Sequence, residues 1–458
     1  MRIRHMLPLL VLVASAHAAP AAVAPEIQAR AILEHAVNTR TVAGAAQVPV
    51  LAAWLADQLR ASGFAPGDIE IQPYGETAAL IARYRGAGNG APLVLSAHMD
   101  VVEANPSDWE RDPFVLTEEN GFLYGRGVMD NKFELSMVVA TLARFKREGY
   151  VPARDIVLAL SGDEETTMIS TRGITPRLRG AWLVINTDGD ANPLGSDGKP
   201  LAFKLQAAEK TYASFELRAH NPGGHSSRPQ PDNAIYQLAH ALVRLQQHEF
   251  PLQLNEVTRA YLGGLASQAQ GAQRAAMEQL AKDPHDAQAG ALLSADPEYV
   301  GILRTTCVAT MLNAGHAENA LPQRAVATVN CRILPGTPID SVRDTLVQLI
   351  ADPAIEVELL DRYPEAPASP LRDEVTTALR KAVDIRYPGL QILPSMAAGA
   401  SDSMYFRAAG IDSYCVTSLF MHPEDDYAHG LNERVPADAI APSLAFWNVL
   451  LRELAASP

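Results

Sequence analysis

Residues 93–100 read Leu93-Val94-Leu95-Ser96-Ala97-His98-Met99-Asp100, an apolar run that ends abruptly in an imidazole and a carboxylate. A short apolar run without alternation is what a strand covered on both faces requires, and such strands belong to parallel sheets packed between helices. In open parallel sheets ligands gather beyond the carboxyl ends of the strands, so the residues following each run carry the chemical information. Two further runs end in the same way. Residues 156–160 lead into Ser161-Gly162-Asp163-Glu164-Glu165, and residues 183–187 lead into Asp188-Gly189-Asp190. A fourth acid, Asp130, follows Gly125-Arg126-Gly127-Val128-Met129 and opens a helical pattern over 132–147, which Gly149 closes.

Working outward, residues 26–63 carry apolar side chains at three- and four-residue steps and predict helices, and a short β-rich run follows at 80–84. Buried strands alternating with helices predict a layered α/β domain with a largely parallel sheet. Near residue 208 the texture changes. Residues 211–219, 305–312 and 325–333 alternate like half-exposed strands, 233–246 and 339–350 are amphipathic helices, and 355–360 is a further strand. That order predicts an inserted α+β domain of the ferredoxin-like kind. Within it, residues 251–300 are rich in Ala and Gln and predict extra helices, read either as scaffold or as a wall narrowing a cleft. From 363 the α/β texture returns, with a helix at 375–383 and a strand at 414–417. The expected division is 26–208 and 363–458 for one α/β catalytic domain, interrupted by 209–362.

The chain has 458 residues, 48% of them hydrophobic and 20% charged, enough to bury a sizeable core without disulfide or metal staples. Its net charge of −14 has the wrong sign for a phosphate backbone or an anionic membrane surface. At the amino end, Arg2, Arg4 and His5 precede an apolar run over 7–14 and the small-residue signal Ala16-His17-Ala18. Residues 1–18 therefore read as a cleaved signal peptide; the alternative, a membrane anchor, needs about 20 apolar residues. The mature chain is then expected in the periplasm or outside the cell. Cys307, Cys331 and Cys415 are an odd number, which allows one internal disulfide, and they are too scattered for a structural zinc site.

Carboxylates crowded on one rim repel one another, and a divalent metal removes that repulsion. One His with several oxygens and no thiolate suits zinc, manganese or cobalt. The surplus of acids points to two ions, since two divalent cations, three carboxylates and one hydroxide sum to zero charge. Each piece alone has a plainer reading: a lone His-x-Asp is an ordinary polar loop, and paired Glu residues are a solvated surface. Gly86, Gly88 and Gly90 lack the Lys-Ser/Thr ending of a phosphate loop, and no Gly-x-Ser-x-Gly elbow of a serine hydrolase is present.

Five ordered blocks carry a resemblance. They are Ser96-Ala97-His98-Met99-Asp100-Val101-Val102, Tyr124-Gly125-Arg126-Gly127-Val128-Met129-Asp130, Gly162-Asp163-Glu164-Glu165, Gly223-Gly224-His225-Ser226-Ser227 and His429-Gly430-Leu431-Asn432-Glu433-Arg434-Val435. Over essentially the whole mature chain the sequence resembles the co-catalytic dizinc metallopeptidases that include glutamate carboxypeptidase, carnosinase, bacterial dipeptidases, aminoacylase and succinyl-diaminopimelate desuccinylase. The resemblance implies that Asp130 bridges two zinc ions, with His98 and Asp188 completing one site and Glu165 and His429 the other. Asp100 is implied to orient His98 through its other ring nitrogen, and Glu164 to be the general base. His422, seven residues before His429, is the rival for the last ligand position. His225 is implied to reach the site of a second subunit as an oxyanion donor, making a homodimer through the inserted domain.

For substrate, Arg332 matches the family's arginine for a carboxylate, a task suited to a planar bidentate donor. Asn319 and the loop containing Gly399 and Ser401 are further binding candidates, with Ala400 departing from a glycine common in that loop. Asp188 in place of Glu resembles the peptidase branch more than the deacylase branch. The expected function is a secreted exopeptidase, of carboxypeptidase or dipeptidase type, cleaving an amide near a free carboxylate in small peptides. The alternatives are an N-acyl-amino-acid amidohydrolase on the same machinery and a metal- or peptide-binding protein without turnover. An intact Glu164 argues against the last, and a phosphoesterase is made remote by the order of the blocks.

Overall fold

The computed structural model describes residues 24–456, so the expected signal peptide at 1–18 lies outside the described residues. The main feature is an eight-stranded sheet. Its strands, in chain order, are β1 (Ile69–Tyr74), β2 (Thr77–Tyr84), β3 (Leu93–His98), β4 (Ile156–Ser161), β5 (Leu183–Asn186), β6 (Phe203–Glu209), β11 (Ile392–Ala397) and β12 (Ser413–Cys415). Their spatial order is β1-β2-β4-β3-β5-β12-β6-β11. The central run β4-β3-β5-β12 is parallel, as is the β6-β11 pair. The α/β class with a largely parallel sheet is the class expected from the sequence.

The unalternating apolar runs have a direct cause. Leu93, Leu95, Ile156, Leu158, Leu183 and Ile185 point into one core, shared with helices α1 (Pro25–Asn38), α2 (Val48–Ala61), α3 (Phe133–Glu148), α6 (Asp373–Asp384) and α7 (Ile440–Leu454). Val94, Val157, Ala159 and Val184 point the other way, onto Ile174, Leu178, Phe406 and Ile411. Both faces are covered, so a polar side chain is accommodated only where it is hydrogen-bonded, as at Ser161 and Asn186 near the strand ends.

A second, antiparallel sheet has the order β8-β9-β7-β10, from β7 (Thr211–His220), β8 (Thr306–Ala314), β9 (Arg324–Ile333) and β10 (Ile355–Leu359). One face, with Phe215, Leu217, Val329 and Ile333, packs on helices α4 (Ala234–Gln247) and α5 (Ile339–Ile350). Among the described residues the helices packed on this sheet lie on that one face, which is why its strands alternate in sequence. Cys307 and Cys331 are register partners on β8 and β9 and form a disulfide, leaving Cys415 free and buried.

Residues 251–300 are helical as expected, in the helices Glu256–Leu265, Gly271–Lys282 and Ala287–Ser294, with Pro297–Leu303 following. Their apolar side chains Val257, Leu262, Met277, Leu280 and Leu293 join the core of the large sheet, not that of the four-stranded one. The segment thus packs against β11, although in the chain it lies between strands of the other sheet. Among the described residues no helix is long and apolar enough to cross a membrane.

Candidate metal and active site

The ends of β3, β4 and β5 deliver His98, the Glu164–Glu165 loop and Asp188 to one rim, and the turn before α3 adds Asp130. Asp130 is at the centre. One carboxylate oxygen lies 2.8 Å from His98 Nε2, and the other lies 3.1 Å from His429 Nε2. The same nitrogen of His429 is 2.9 Å from Glu165 Oε1. Three overlapping groups each bring one potential ligand atom per residue within 4.8 Å of one another: His98 with Asp130 and Asp188, Asp130 with Glu165 and His429, and His98 with Glu164 and Glu165. The first two groups share Asp130. His422 is in none of them, so His429 is the imidazole that the fold brings to the acids.

The electrostatics describe a site that lacks positive charge. Burial pushes Glu164 well above the usual carboxylate range, with the charge of Asp188 adding to the effect. Burial and the neighbouring Asp130 do the same to Asp188. Burial also opposes ionisation of Asp130, but hydrogen bonds from His429 and His98 hold its carboxyl well below the ordinary range. Hydrogen bonds to Asp130 and Glu165 push the His429 imidazole up to about 10. Burial disfavours a charged His98, yet Asp100 and Asp130 hold its proton affinity well above the ordinary range. The donor set is oxygen and imidazole only, with both imidazole Nε2 atoms turned toward carboxylates. Divalent cations suited to mixed oxygen and nitrogen ligands fit it.

Around this cluster a set of backbone-directed contacts fixes each side chain. His98 Nδ1 faces the backbone carbonyl of Asp100 at 3.0 Å, while the nearest carboxylate oxygen of Asp100 is at 3.6 Å. That carboxylate accepts instead from the backbone N–H groups of Glu164 at 3.1 Å and Glu165 at 3.0 Å. Asp100 therefore orients His98 through its main chain and the two glutamates through its side chain. Thr187 Oγ1 donates to Asn131 Oδ1 at 2.8 Å, tying the Asp188 loop to the residue after Asp130.

The sequence reading assigned no role to Glu433, whose carboxylate is fully buried. It accepts from the N–H groups of Gly127, Met129 and Asp130 at 3.0, 2.8 and 3.1 Å, and from Arg126 Nη1 at 2.6 Å. Arg126 Nη2 donates back to the carbonyls of His429 and Gly430. The glutamate after Gly430-Leu431-Asn432 and the arginine four residues before Asp130 were the available signals. Asp402, in the loop read from sequence as a binding candidate, is instead held by the fold: buried, it accepts from Ser161 and Thr171, and burial pushes it up to about 6.

Two cavities flank the cluster. One, of about 400 Å³, is lined by Glu164, Glu165 and His429 together with Arg332, Tyr212, Tyr363, Met168 and Met404. The other, of about 350 Å³, is lined by Asp130 and Asp188 together with Asp190, Asp426, Gln206 and Ser401. Gly399 and Ala400 line both. Arg332 thus faces the cluster's cavity, as does the backbone of Gly399. Ser401 is buried, and its hydroxyl donates to Glu209 at 2.8 Å, so its side chain is already occupied by the fold. His225 and Asn319 stand apart: they lie together at a small exposed pair of short strands distant in the chain and line neither cavity. His225 Nδ1 is held by the N–H of Ser227 at 3.1 Å.

Comparison with known proteins gives a consistent picture. The family model described as Peptidase family M20/M25/M40 matches residues 94–453. The chain is 28% identical over 379 residues to the N-fatty-acyl-amino acid synthase/hydrolase PM20D1 of Bos taurus, covering 78% of this chain and 72% of that protein. The crystal structure of the M20 family metallo-carboxypeptidase Sso-CP2 from Sulfolobus solfataricus superposes with a TM-score of 0.71 at 19% identity, covering 93% of this chain and 99% of that one. The Bacillus subtilis YXEP protein, described as a dinuclear metal binding peptidase from the M20 family, superposes with a TM-score of 0.60 at 12% identity, covering 95% and 99%.

Proposed function

Because the chain belongs to peptidase family M20/M25/M40, we propose that it is a two-metal amide hydrolase releasing an amino acid from the carboxylate end of a small peptide. One observation carries the reading: six side chains from distant parts of the chain meet beside a cavity that holds Arg332. His98, Asp130 and Asp188 would hold one divalent cation, and Asp130, Glu165 and His429 the other. Zinc is the ion proposed, with cobalt and manganese suited to the same donors. When bound, such a pair supplies Lewis acidity toward the scissile carbonyl and acidifies a water.

The chain's own residues do the rest. Glu164, buried beside the cluster, takes the proton of the attacking water and passes it to the departing amine. Asp100 keeps that glutamate in place through its backbone N–H. Arg332 anchors the substrate carboxylate, fixing which amide bond lies over the cluster. On the opposite side, Asp190 and Asp426 suit a free α-ammonium, which favours a peptide.

A second reading, hydrolysis of N-acyl amino acids, is favoured by the description of the PM20D1 relative. A panel of dipeptides and N-acyl amino acids separates the two, and a preference for the acyl substrates replaces the first with the second. Metal stoichiometry with activity before and after chelation tests both. Full activity in protein devoid of ions overturns the whole assignment.

The oxyanion donor is proposed to be His225 of a second copy of the chain, since its own copy holds it on the surface away from the cluster. The edge strand β8 supports dimerisation, with Val308, Met311 and Leu312 at 61, 69 and 66% exposure. Sedimentation equilibrium is expected to give a dimer. Export of the mature chain is supported by the amino-terminal pattern and by the Cys307–Cys331 disulfide, a bond that persists in oxidising compartments.

A further inference from the structure

The cavity that holds Arg332 has walls of a distinct chemistry. Tyr212 and Arg332 are register partners on β7 and β9, and the guanidinium carbon stands 4.7 Å from the centre of the Tyr212 ring. Tyr363 meets that ring edge-on at 5.3 Å. Opposite, Met168 and Met404 pack with Ala366 into a small buried apolar cluster against which Tyr363 and Ala400 lie. Met168 is held at φ 49°, a left-handed conformation rarely adopted outside glycine and asparagine, so its backbone is held in a costly conformation at this wall.

We propose that this cavity selects, as the departing half of the substrate, an amino acid with a large apolar side chain, aromatic or long aliphatic, and that Tyr212, Tyr363, Met168 and Met404 set that preference. The inference rests on the proposed amide hydrolysis and adds the class of residue released. The orientation follows from charge. Among the described residues Arg332 is the one arginine or lysine lining either cavity, whereas the other cavity adds Asp426, and Asp190 with Lys204 at 3.6 Å, to the cluster's own acids. A substrate carboxylate is attracted to the first and repelled by the second, so the carboxylate-bearing half lies among the aromatic rings and thioethers.

With its carboxylate on Arg332, that half turns its side chain to the remaining walls. An acidic side chain is repelled by Glu164 and Glu165, and a basic one finds no carboxylate in this cavity other than those two, which the proposed metal and base roles already occupy. A small one leaves the volume between the rings and the thioethers unfilled. An aromatic ring finds edge and face contacts with two tyrosines and sulfur contacts from two methionines. Each methylene placed in such a pocket changes kcat/KM by about 10- to 200-fold.

The test uses the metal-loaded protein and substrates with one constant acyl half, releasing Gly, Leu, Phe, Asp or Lys, together with calorimetric binding of the five free amino acids. The expected result is that Phe and Leu exceed Gly by about 100-fold or more in kcat/KM, that Asp and Lys do not exceed Gly, and that binding of the free amino acids follows the same order. Tyr363→Ala is expected to lower the Phe-to-Gly ratio by at least tenfold, and Tyr363→Phe to retain it, which separates ring packing from loss of fold. A flat series, a preference for Asp or Lys, or an unchanged ratio in Tyr363→Ala overturns the proposal. Absence of cleavage throughout, with ordered binding of Phe over Gly, sinks the hydrolase reading and leaves the pocket assignment standing. Absence of ordered binding sinks the pocket assignment as well.

Discussion

The carboxylate of Glu433 accepts the backbone N–H of Asp130 at 3.1 Å, while the side chain of Asp130 reaches the imidazoles of both His98 and His429. Two loops separated by about three hundred positions are thereby locked into one unit, and the central acid of the cluster has no freedom to swing. Replacing Glu433 by Ala leaves Arg126 buried without a counter-charge and strips three N–H groups of their acceptor. Unfolding free energy is expected to fall by about 3–5 kcal/mol, with bound metal below two ions per chain. Denaturant unfolding and metal analysis of the same preparation check this, and Glu433→Gln, which keeps the shape and one of the two acceptor oxygens, is expected to lose less.

Glu164→Gln isolates the chemistry from the scaffold. The amide preserves the volume at a buried position and removes the proton carrier, so metal content and melting temperature are expected to remain near those of the parent. Turnover is expected to fall by about 10²- to 10⁴-fold. Steady-state kinetics with metal analysis decide it, and undiminished turnover removes Glu164 from its assigned role.

Lys210 gives a pH-dependent prediction away from the metal cluster. It sits at the joint between β6 and β7, 1% exposed, with its ammonium donating to the Arg304 carbonyl at 2.8 Å and to Thr306 Oγ1 at 3.4 Å. Burial, helped by the charge of Arg332, brings it down to about 7. The folded value lies below that of the unfolded chain, so unfolded molecules bind more protons between about 7 and the ordinary lysine range. Stability therefore rises with pH across that window, and the penalty is fully present below it. Lys210→Met is expected to be more stable than the parent at pH 6 and to lose that advantage by pH 10. Each pH unit within the window contributes up to about 1.4 kcal/mol. Chemical denaturation at the two pH values checks the sign, and an advantage independent of pH contradicts it.

The Cys307–Cys331 bond joins positions 24 residues apart and pins the edge strand β8 to β9. Its closure restricts the unfolded chain, and losing both sulfurs through paired Ala substitutions is expected to cost about 3 kcal/mol. Hydrogen exchange is expected to localise the loss to β8, which lies at the edge of its sheet. Uniform loss across the large sheet contradicts that localisation.

Much of the site was legible in the sequence because strands buried on both faces announce themselves as unbroken apolar runs, and their ends must then be where polarity resumes. His98, Glu164, Glu165 and Asp188 are all such ends. The strand Ile392–Ala397 was not legible: Pro394 argues against a strand, and it is tolerated because β11 is at the edge of its sheet. The packing of the helices between 256 and 303 was also hidden. Their amphipathic pattern shows that one side is buried but not which of two sheets buries it. Glu433 escaped notice for a different reason. Three of its four donors are backbone N–H groups, which every residue supplies, and the fourth, Arg126, lies about three hundred positions away, so only the two residues' places beside Asp130 and His429 mark the pair.

Gly399 and Ala400 line both cavities, so in the proposed orientation they would touch both halves of a bound amide. A side chain added there disturbs acyl group and released amino acid together, whereas Tyr363 or Met404 is felt by one half alone. Redirecting this enzyme to new compounds should therefore proceed from the outer walls inward, keeping Gly399 and Ala400 as found.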